Sequence, residues 1–208
     1  MEAEAFSRWF LAIFFVAVAL FYTVSISLKT RASGGVSPVT FGRFPARHWL
    51  IHTTFRVFRA LILLICVVRV PYPQIDGYLV PIERLWKPAL LFAGNGIMLA
   101  SFLGLIWLHH SMGSHWRSGI PEDDVRPLIT TGAYAFSRNP MFLLIQLAQI
   151  GFFLSLPSVF TLVCLVVGMA AIHAQTRLEE RYLEAHHGDD YRRYKERTPR
   201  WLIRGRGR

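Results

Sequence analysis

Long apolar runs, separated by short polar and basic segments, dominate the pattern along the chain. Runs with the composition of membrane-spanning helices lie at 9–28, 48–70, 88–108, 141–156 and 159–174. The first three reach the roughly 18 residues that indicate a span, whereas the last two have about 16 each. Pro157 and Ser158 separate these two, which predicts a tight helical hairpin with Ser158 capping its second helix. We therefore expect an all-α integral membrane helical bundle, with about five transmembrane helices and a cytoplasmic C-terminal helix.

Lysine and arginine residues concentrate on one side of such a bundle. The segments 29–47, 109–140 and 175–208 share that side and hold most of the basic residues outside the apolar runs. Because basic loops stay in the cytoplasm, we expect the C-terminus inside and the N-terminus outside. The layout of the net charge of +10 indicates basic segments at a membrane surface, and it argues against nucleic-acid binding.

Two charged residues, Arg56 and Arg59, lie within the second apolar run. A charge inside a span is costly, and it usually faces a cavity, a partner or the interface. One interpretation, which we favour, is that both side chains extend to the lipid headgroups. The alternative is that they contact an anionic group of a lipid.

The cysteines and histidines form no defensible metal or disulfide pattern. Cys66 and Cys164 lie inside apolar runs, so we expect two buried thiols without a disulfide bond. His109, His110 and His115 are close together, but their spacing matches no metal motif. We expect these histidines to be hydrogen-bonded or interfacial, and we expect no bound metal.

The segment 126–142 is the polar centre of the C-terminal half. Gly132 can adopt a positive φ, Tyr134 carries a hydroxyl group, and Arg138 carries a rigid set of donors. Pro140 suits the first turn of a helix, and an apolar run begins directly after it. The N-terminus of that helix presents N–H groups and a positive dipole end, which favour a carboxylate or a phosphate. This segment is predicted to form the floor of a ligand site at the membrane surface.

The last helix is predicted to continue beyond its apolar run through 175–187, because this segment holds good helix formers and neither Gly nor Pro. Four polar residues share one face of the extension: Gln175, Glu179, Tyr182 and His186. Gly188 is expected to end the helix. The segment 189–201 then adds aromatic and basic residues that suit an anionic interface.

A neighbouring face of the same extension is rich in charge. Glu180 and Glu184 share it with Arg177 and Arg181. Their spacing predicts ion pairs along the helix, because Arg177 and Glu180, like Arg181 and Glu184, are three residues apart. Considered alone, these charges indicate a solvated amphipathic helix and no more than that.

Several short motifs follow one another in the C-terminal half. A G-x-Y-x-x-x-R-[HN]-P motif precedes the hairpin, and E-E-x-x-L, G-x-x-Y-x-x-Y and a basic end follow it. The matching residues are Gly132, Tyr134, Arg138, Asn139, Pro140, Glu179, Glu180, Leu183, Gly188, Tyr191 and Tyr194. In this order and spacing the chain resembles the isoprenylcysteine carboxyl methyltransferase family, including its bacterial members and the related phospholipid N-methyltransferases. Residues 1–110 match only as generic spans.

The resemblance implies a membrane enzyme that transfers a methyl group from S-adenosylmethionine to a lipid or lipophilic acceptor. It implies one membrane domain over 1–208, with N-terminal spans at 1–110 and a methyltransferase core that holds the cofactor site at 111–208. For a bacterial member it also implies the inner membrane. The cofactor contacts, carried over by position, would be Arg126, Pro127, Leu128, Ile129, Tyr134, Asn139, Pro140, Met141, Phe142 and Glu179.

Arg138 and Glu180 are the candidate catalytic residues. Arg138 stands beside the predicted helix N-terminus, where the carboxylate of the cofactor could lie. An amine acceptor would have to lose a proton, and Glu180 and His115 are the candidate bases for that step. A carboxylate acceptor would need no base, because the donor is already activated and the protein mainly positions the reactants.

Three positions depart from the family pattern. Asn139 stands where histidine is common, and Phe142 replaces a tyrosine, so that one hydroxyl group is missing. Gln175 stands where the prenylcysteine enzymes have an arginine for the carboxylate of the substrate. We therefore place Gln175 at the substrate, and we expect a prenylcysteine acid to bind poorly.

Other functions are compatible with parts of the pattern. A phospholipid N-methyltransferase of the phosphatidylethanolamine type would share the motifs. A membrane reductase of the sterol-reductase kind is loosely similar in its C-terminal region, but we find no nicotinamide fingerprint. A non-catalytic membrane protein, in which loop and tail merely pack together, is the third alternative.

Overall fold

The computed structural model describes residues 2–32, 34, 47–112 and 127–202. Arg126 and His115, both named above, therefore lie outside the described residues. Within these ranges the α-helices are α1 (Glu2–Ala32), α2 (Arg47–Val68), α3 (Ile75–Tyr78), α4 (Pro88–Met112), α5 (Pro140–Ser155) and α6 (Val159–Arg197). Short 3-10 helices lie at Glu83–Leu85 and Gly132–Ala135.

The helices have the dimensions of a membrane bundle. By length and composition, α1, α2, α4 and α6 can cross a membrane, and α5 is a shorter apolar helix of 16 residues. Large apolar side chains such as Trp9, Leu103 and Val166 are exposed on the outside of the bundle, as a lipid surface requires. The described ranges contain no β-strand, so the prediction of an all-α membrane bundle is confirmed.

Small residues bring α4 and α5 into close contact. A Cβ atom added to Gly94 would lie 2.5 Å from the backbone nitrogen of Ser155 and 2.6 Å from the carbonyl oxygen of Gly151. Close approach of this kind replaces the hydrophobic effect as a source of helix association in lipid. The buried core beside this contact consists of Leu11, Phe14, Cys66, Leu79, Met98, Phe152, Leu156 and Cys164. Both cysteines are free and buried, as predicted.

Buried polar side chains connect the helix ends at one end of the bundle. Ser7 in α1 donates to the carbonyl oxygen of Ser155 at 2.8 Å and to Asn95 at 3.2 Å. At the end of α2, Arg69 bonds to Asp76 of α3. These bonds gather the start of α1, the start of α4 and the end of α5. The start of α5 and the C-terminal part of α6 consequently lie at the opposite end.

The turn between α5 and α6 has the predicted cap. Ser158 Oγ accepts from the Thr161 N–H at 3.2 Å, and Thr161 Oγ1 accepts from the Ser158 N–H at 3.2 Å, which makes a reciprocal capping box. Trp86 Nε1 donates to the carbonyl oxygen of Pro157 at 2.7 Å and braces the same turn. The predicted hairpin of a short α5 and a longer α6 is therefore confirmed.

The end of α6 differs from the prediction. Gly188 was expected to end the helix, and its φ of 48° and ψ of −120° are indeed non-helical. The helix nevertheless resumes after this kink and continues to Arg197. Glycine tolerates the positive φ that the kink requires, so the chain changes direction there without losing the helical segment that follows.

Gly94→Ala should destabilise the protein, because the new methyl group would meet backbone atoms of α5 that cannot move independently. We expect a loss of about 1–3 kcal/mol of unfolding free energy. Gly96→Ala is the matched control, since a Cβ atom at Gly96 has nothing within 4 Å. Thermal unfolding of both variants in detergent measures the difference, and equal midpoints would contradict the proposed contact.

Candidate functional site

The loop before α5 has the backbone that its sequence predicts. Gly132 has a φ of 62° and opens the 3-10 helix that contains Tyr134. Asn139 has non-helical angles, and Pro140 is the first residue of α5. Proline fits there because its missing N–H would have no helical partner. The positive end of α5 therefore faces the loop.

Glu180, in the part of α6 beyond the apolar run, is the centre of a buried polar cluster. Its Oε1 accepts from Arg138 Nη2 and Arg200 Nε, each at 3.0 Å, and from Asn139 Nδ2 at 3.3 Å. Its Oε2 accepts from Arg200 Nη2 at 2.6 Å. Only 6% of Glu180 is exposed, and a carboxylate so buried is stable only with partners of this kind. We name these four residues the Glu180 cluster.

The ion pairs of the α6 extension differ from those predicted. Glu180 pairs with the loop and the tail, whereas ion pairs with arginines of the same helix were expected. Glu184 pairs with Lys195, at 3.0 Å, from the helical segment after the kink. The interpretation as a solvated face is therefore wrong for Glu180, because tertiary partners compete with those on the same helix.

The tail after α6 is bound to the loop before α5. Arg138 Nη1 donates to the carbonyl oxygen of Thr198 at 2.7 Å, and the Arg138 backbone N–H donates to that of Pro199 at 2.9 Å. Ser137 Oγ donates to the carbonyl oxygen of Arg200 at 3.0 Å. These bonds, together with the Glu180 cluster, hold the loop, α6 and the tail in one arrangement.

Contacts within the Glu180 cluster shift the pKa values of Glu180 and Arg200. Burial alone would raise the pKa of Glu180, but hydrogen bonds and charge from Arg200 and Arg138 outweigh it and hold this pKa below the ordinary value of 4.5. The hydrogen bonds to Glu180 raise the pKa of Arg200 further above its usual range. The carboxylate is therefore ionised and saturated with donors at neutral pH.

A cavity of about 550 Å³ lies beside the cluster and extends between the helices. Its polar mouth is lined by Tyr134, Arg138, Asn139, Gln175 and Glu179. Its apolar interior is lined by side chains from α1, α2, α4, α5 and α6, such as Phe14, Phe58, Met98, Phe152 and Ile172. A volume of this size is typical of small-molecule sites. The polar mouth and the apolar interior form one continuous space.

Most residues that the resemblance selected meet at this cavity. Those that line it are Pro127, Leu128, Ile129, Tyr134, Asn139, Met141, Phe142 and Glu179, together with Arg138 and Gln175. Pro140 and Glu180, which are also described, are not among the lining residues. The loop and α6, distant in sequence, thus contribute to one wall.

Three side chains give the polar mouth its chemistry. Gln175 is 3% exposed, and its Nε2 donates to Glu179 Oε1 at 2.8 Å. Burial, and then the nearby Glu179 carboxylate, raise the pKa of Tyr134. The Tyr134 hydroxyl therefore stays protonated and can donate a hydrogen bond. The mouth offers a carboxylate, an amide and a hydroxyl group within one small region.

One functional candidate, Arg200, was not predicted from the sequence, and the role of a second, Arg59, was left open. Arg200 completes the Glu180 cluster, although it lies after the kink at Gly188 and carries no motif signal. Arg59 lines the cavity, with its Cζ 5.9 Å from the ring centroid of Tyr22. The charge inside the second apolar run was the signal for Arg59, whose side chain was expected either to extend to the headgroups or to contact an anionic lipid group. Among the described residues, no group of three His, Cys, Asp or Glu side chains could hold a metal ion.

The chain is similar to a known protein family over a range that includes most of the residues of this site. A family model described as phospholipid methyltransferase matches residues 89–190, which is just under half of the chain. The matched range covers nearly all of α4, the loop, all of α5 and α6 as far as the kink. No curated protein and no solved structure matches the chain. The chain is thus similar to membrane methyltransferases that act on lipids.

Glu180→Gln should destabilise the protein, because Arg138 and Arg200 would lose their shared anionic partner. Removing one partner of a buried pair costs about 3–5 kcal/mol. Glu184→Gln is the control, since its ion pair with Lys195 is at the surface and screened by solvent. Thermal unfolding of the two variants measures the difference, and similar losses would contradict the cluster.

The stability of the protein at acidic pH should also depend on the Glu180 carboxylate. The folded-state pKa of Glu180 lies below 4.5, so its stabilising contribution is complete above that pH and is lost as the pH falls further. Unfolding followed from neutral pH to below pH 4.5 should show a steeper loss in wild type than in Glu180→Gln.

Proposed function

We propose that this chain is an S-adenosylmethionine-dependent methyltransferase that acts on a lipid or lipophilic acceptor at the membrane. The observation that carries the proposal is the match of the phospholipid methyltransferase model to residues 89–190. This range contains the loop before α5 and Glu179, which line the polar mouth. The family similarity and the cavity therefore support the same location for the reaction.

The charged and polar groups of the mouth fit the cofactor. S-adenosylmethionine, when bound, supplies an activated methyl group on a positively charged sulfur. Glu179 would hold a positive part of the molecule, such as its ammonium group. The N-terminus of α5 would favour its carboxylate, and the Tyr134 hydroxyl would donate a hydrogen bond. Arg138 donates hydrogen bonds to Glu180 and to the tail, and these bonds fix its side chain. Its positive charge therefore lies at a fixed position beside the mouth.

The apolar interior supports a lipophilic acceptor. An acceptor whose apolar part fills the space between α1, α2 and α4–α6 would bring its reactive end to the polar mouth. Methyl transfer is an in-line displacement, so orientation and exclusion of water are the main contributions of the protein. We assign Glu180 a positioning role, because a carboxylate already saturated with donors is a poor base. The basic segments that flank the mouth support a position on the cytoplasmic side of the membrane.

The proposal predicts a cofactor site that depends on both the loop and α6. Glu179→Ala and Tyr134→Ala should each weaken binding of S-adenosylhomocysteine, and loss of the charged partner should cost about 2–5 kcal/mol. Glu184→Ala should not, because Glu184 is paired with Lys195 away from the cavity. Isothermal calorimetry on the purified protein measures the three affinities.

The alternatives predict other outcomes of the same measurement. A reductase or a non-catalytic membrane protein would not bind S-adenosylhomocysteine in the wild type. If all three variants behaved alike, the assignment of the pocket would be wrong.

The polar mouth favours an amine over a carboxylate as the reacting group of the acceptor. Gln175 is neutral and already bonded to Glu179, so neither side chain would neutralise an entering carboxylate. An amine acceptor, as in phosphatidylethanolamine-type N-methylation, would avoid this cost and agrees with the family match. Its ammonium form would first transfer a proton to a base, for which His115 is the remaining candidate. The isoprenylcysteine-type acceptor is the second candidate. Arg59 on the cavity wall is the specific observation in its favour.

A farnesylated cysteine analogue separates the two acceptors. Wild type should methylate it poorly, and Gln175→Arg should raise the turnover by about tenfold or more, because each 1.4 kcal/mol of recovered pairing is a factor of ten. Transfer of a labelled methyl group measures this turnover. Robust wild-type turnover that the arginine fails to improve would contradict the expectation and would indicate Arg59 as the partner of the carboxylate.

A further inference from the structure

A polar side chain lies deep within the apolar interior. Gln149 of α5 lines the cavity together with Phe152, Cys164 and Gly168. It follows Asn139 by ten residues, which places it about 15 Å further along the helix axis from the polar mouth. Amide groups at such a depth in a membrane protein are costly, and they commonly mark a ligand path or a functional contact.

The opposite wall leaves room for this amide. A Cβ atom added to Gly168 of α6 would lie 2.5 Å from Gln149 Nε2, 2.6 Å from Oε1 and 2.7 Å from Cδ. Any other residue at position 168 would therefore displace the amide. The pairing of a glycine on α6 with a glutamine on α5 keeps a polar group at the cavity wall, where an apolar side chain would otherwise pack.

One half of the amide has no partner. Gln149 Oε1 is buried and accepts no hydrogen bond from any of the described residues. Buried polar atoms are nearly always satisfied, so an oxygen that no described residue satisfies is a candidate contact for a bound molecule. The oxygen is an acceptor only, so the group that satisfies it must carry a hydroxyl or an N–H.

We infer that Gln149 and Gly168 form a second recognition point, which binds a hydroxyl or N–H group carried within the apolar part of the acceptor. The inference rests on the proposed function, because it takes the acceptor to be the molecule that fills the interior. It assigns the substrate to lipids whose chain bears a hydrogen-bond donor at a distance from the reacting end. An unsubstituted chain would leave the oxygen unsatisfied.

Competition between two neutral esters tests this recognition point. Methyl ricinoleate and methyl oleate differ by one hydroxyl group on the chain, and native mass spectrometry of the full-length protein in detergent gives the ratio of the two bound forms. Gln149→Met removes the acceptor oxygen at similar volume. The ratio should favour the hydroxylated ester about two- to tenfold more in wild type than in this variant. Partitioning into detergent is common to all variants and cancels.

Two further variants keep the result interpretable. Gln146→Met alters the other glutamine of α5, which does not line the described cavity, and it should keep the wild-type ratio. Gly168→Ala should lower the ratio, because the methyl group displaces the end of a flexible side chain without touching the backbone. A wild-type ratio equal to that of Gln149→Met, or an equal loss in Gln146→Met, would overturn the inference.

The failure of this inference can be told apart from the failure of the proposed function. The ester competition contains no methyl donor, so it does not depend on catalysis. Binding of S-adenosylhomocysteine without any ester preference would refute the recognition point and leave the methyltransferase proposal intact. Ester preference without S-adenosylhomocysteine binding would refute the methyltransferase and retain a lipid-binding cavity.

Discussion

The buried carboxylate of Glu180 sets the strongest constraint on the site. An ion at that position can be tolerated only if donors surround it, and the donors come from the loop before α5 and from the tail after α6. Each of these segments is therefore fixed by its bond to the same carboxylate. Arg138 and Asn139 also line the cavity, so the cluster determines the shape of the polar mouth. The position of any bound molecule thus depends on a residue that does not touch it.

The cavity combines two environments that a lipid methyltransferase needs together. The mouth offers charged and polar groups to a charged cofactor, and the interior is lined mainly by apolar side chains. A reaction between a positive donor and a lipophilic acceptor gains from a dry, preorganised site at the boundary between these environments. The tail bound across the loop supports this preorganisation, because it restricts the segment that carries Tyr134 and Arg138.

Local patterns predicted much of this structure, and tertiary contacts account for the rest. The spans, the Ser158 cap, the positive φ of Gly132 and the start of α5 at Pro140 follow from periodicity, capping and backbone preferences of neighbouring residues. The pairing of Glu180 with Arg200 could not follow from such patterns, because a kinked helical segment lies between them. Periodicity identifies the faces of one helix, but it does not tell which other helix meets each face. For the same reason, the sequence alone did not predict that Arg59 lies on the cavity wall.

The consecutive carboxylates Glu179 and Glu180 show how the fold separates two roles. They differ by about 100° of rotation around α6, so one faces the cavity and the other faces the loop and tail. Glu180 is surrounded by guanidinium groups, which keep it ionised and occupied. Glu179 accepts a hydrogen bond from the neutral Gln175 and lines the cavity. The Glu179 carboxylate would attract a cationic donor, whereas Glu180 holds the loop that forms the other side of the mouth.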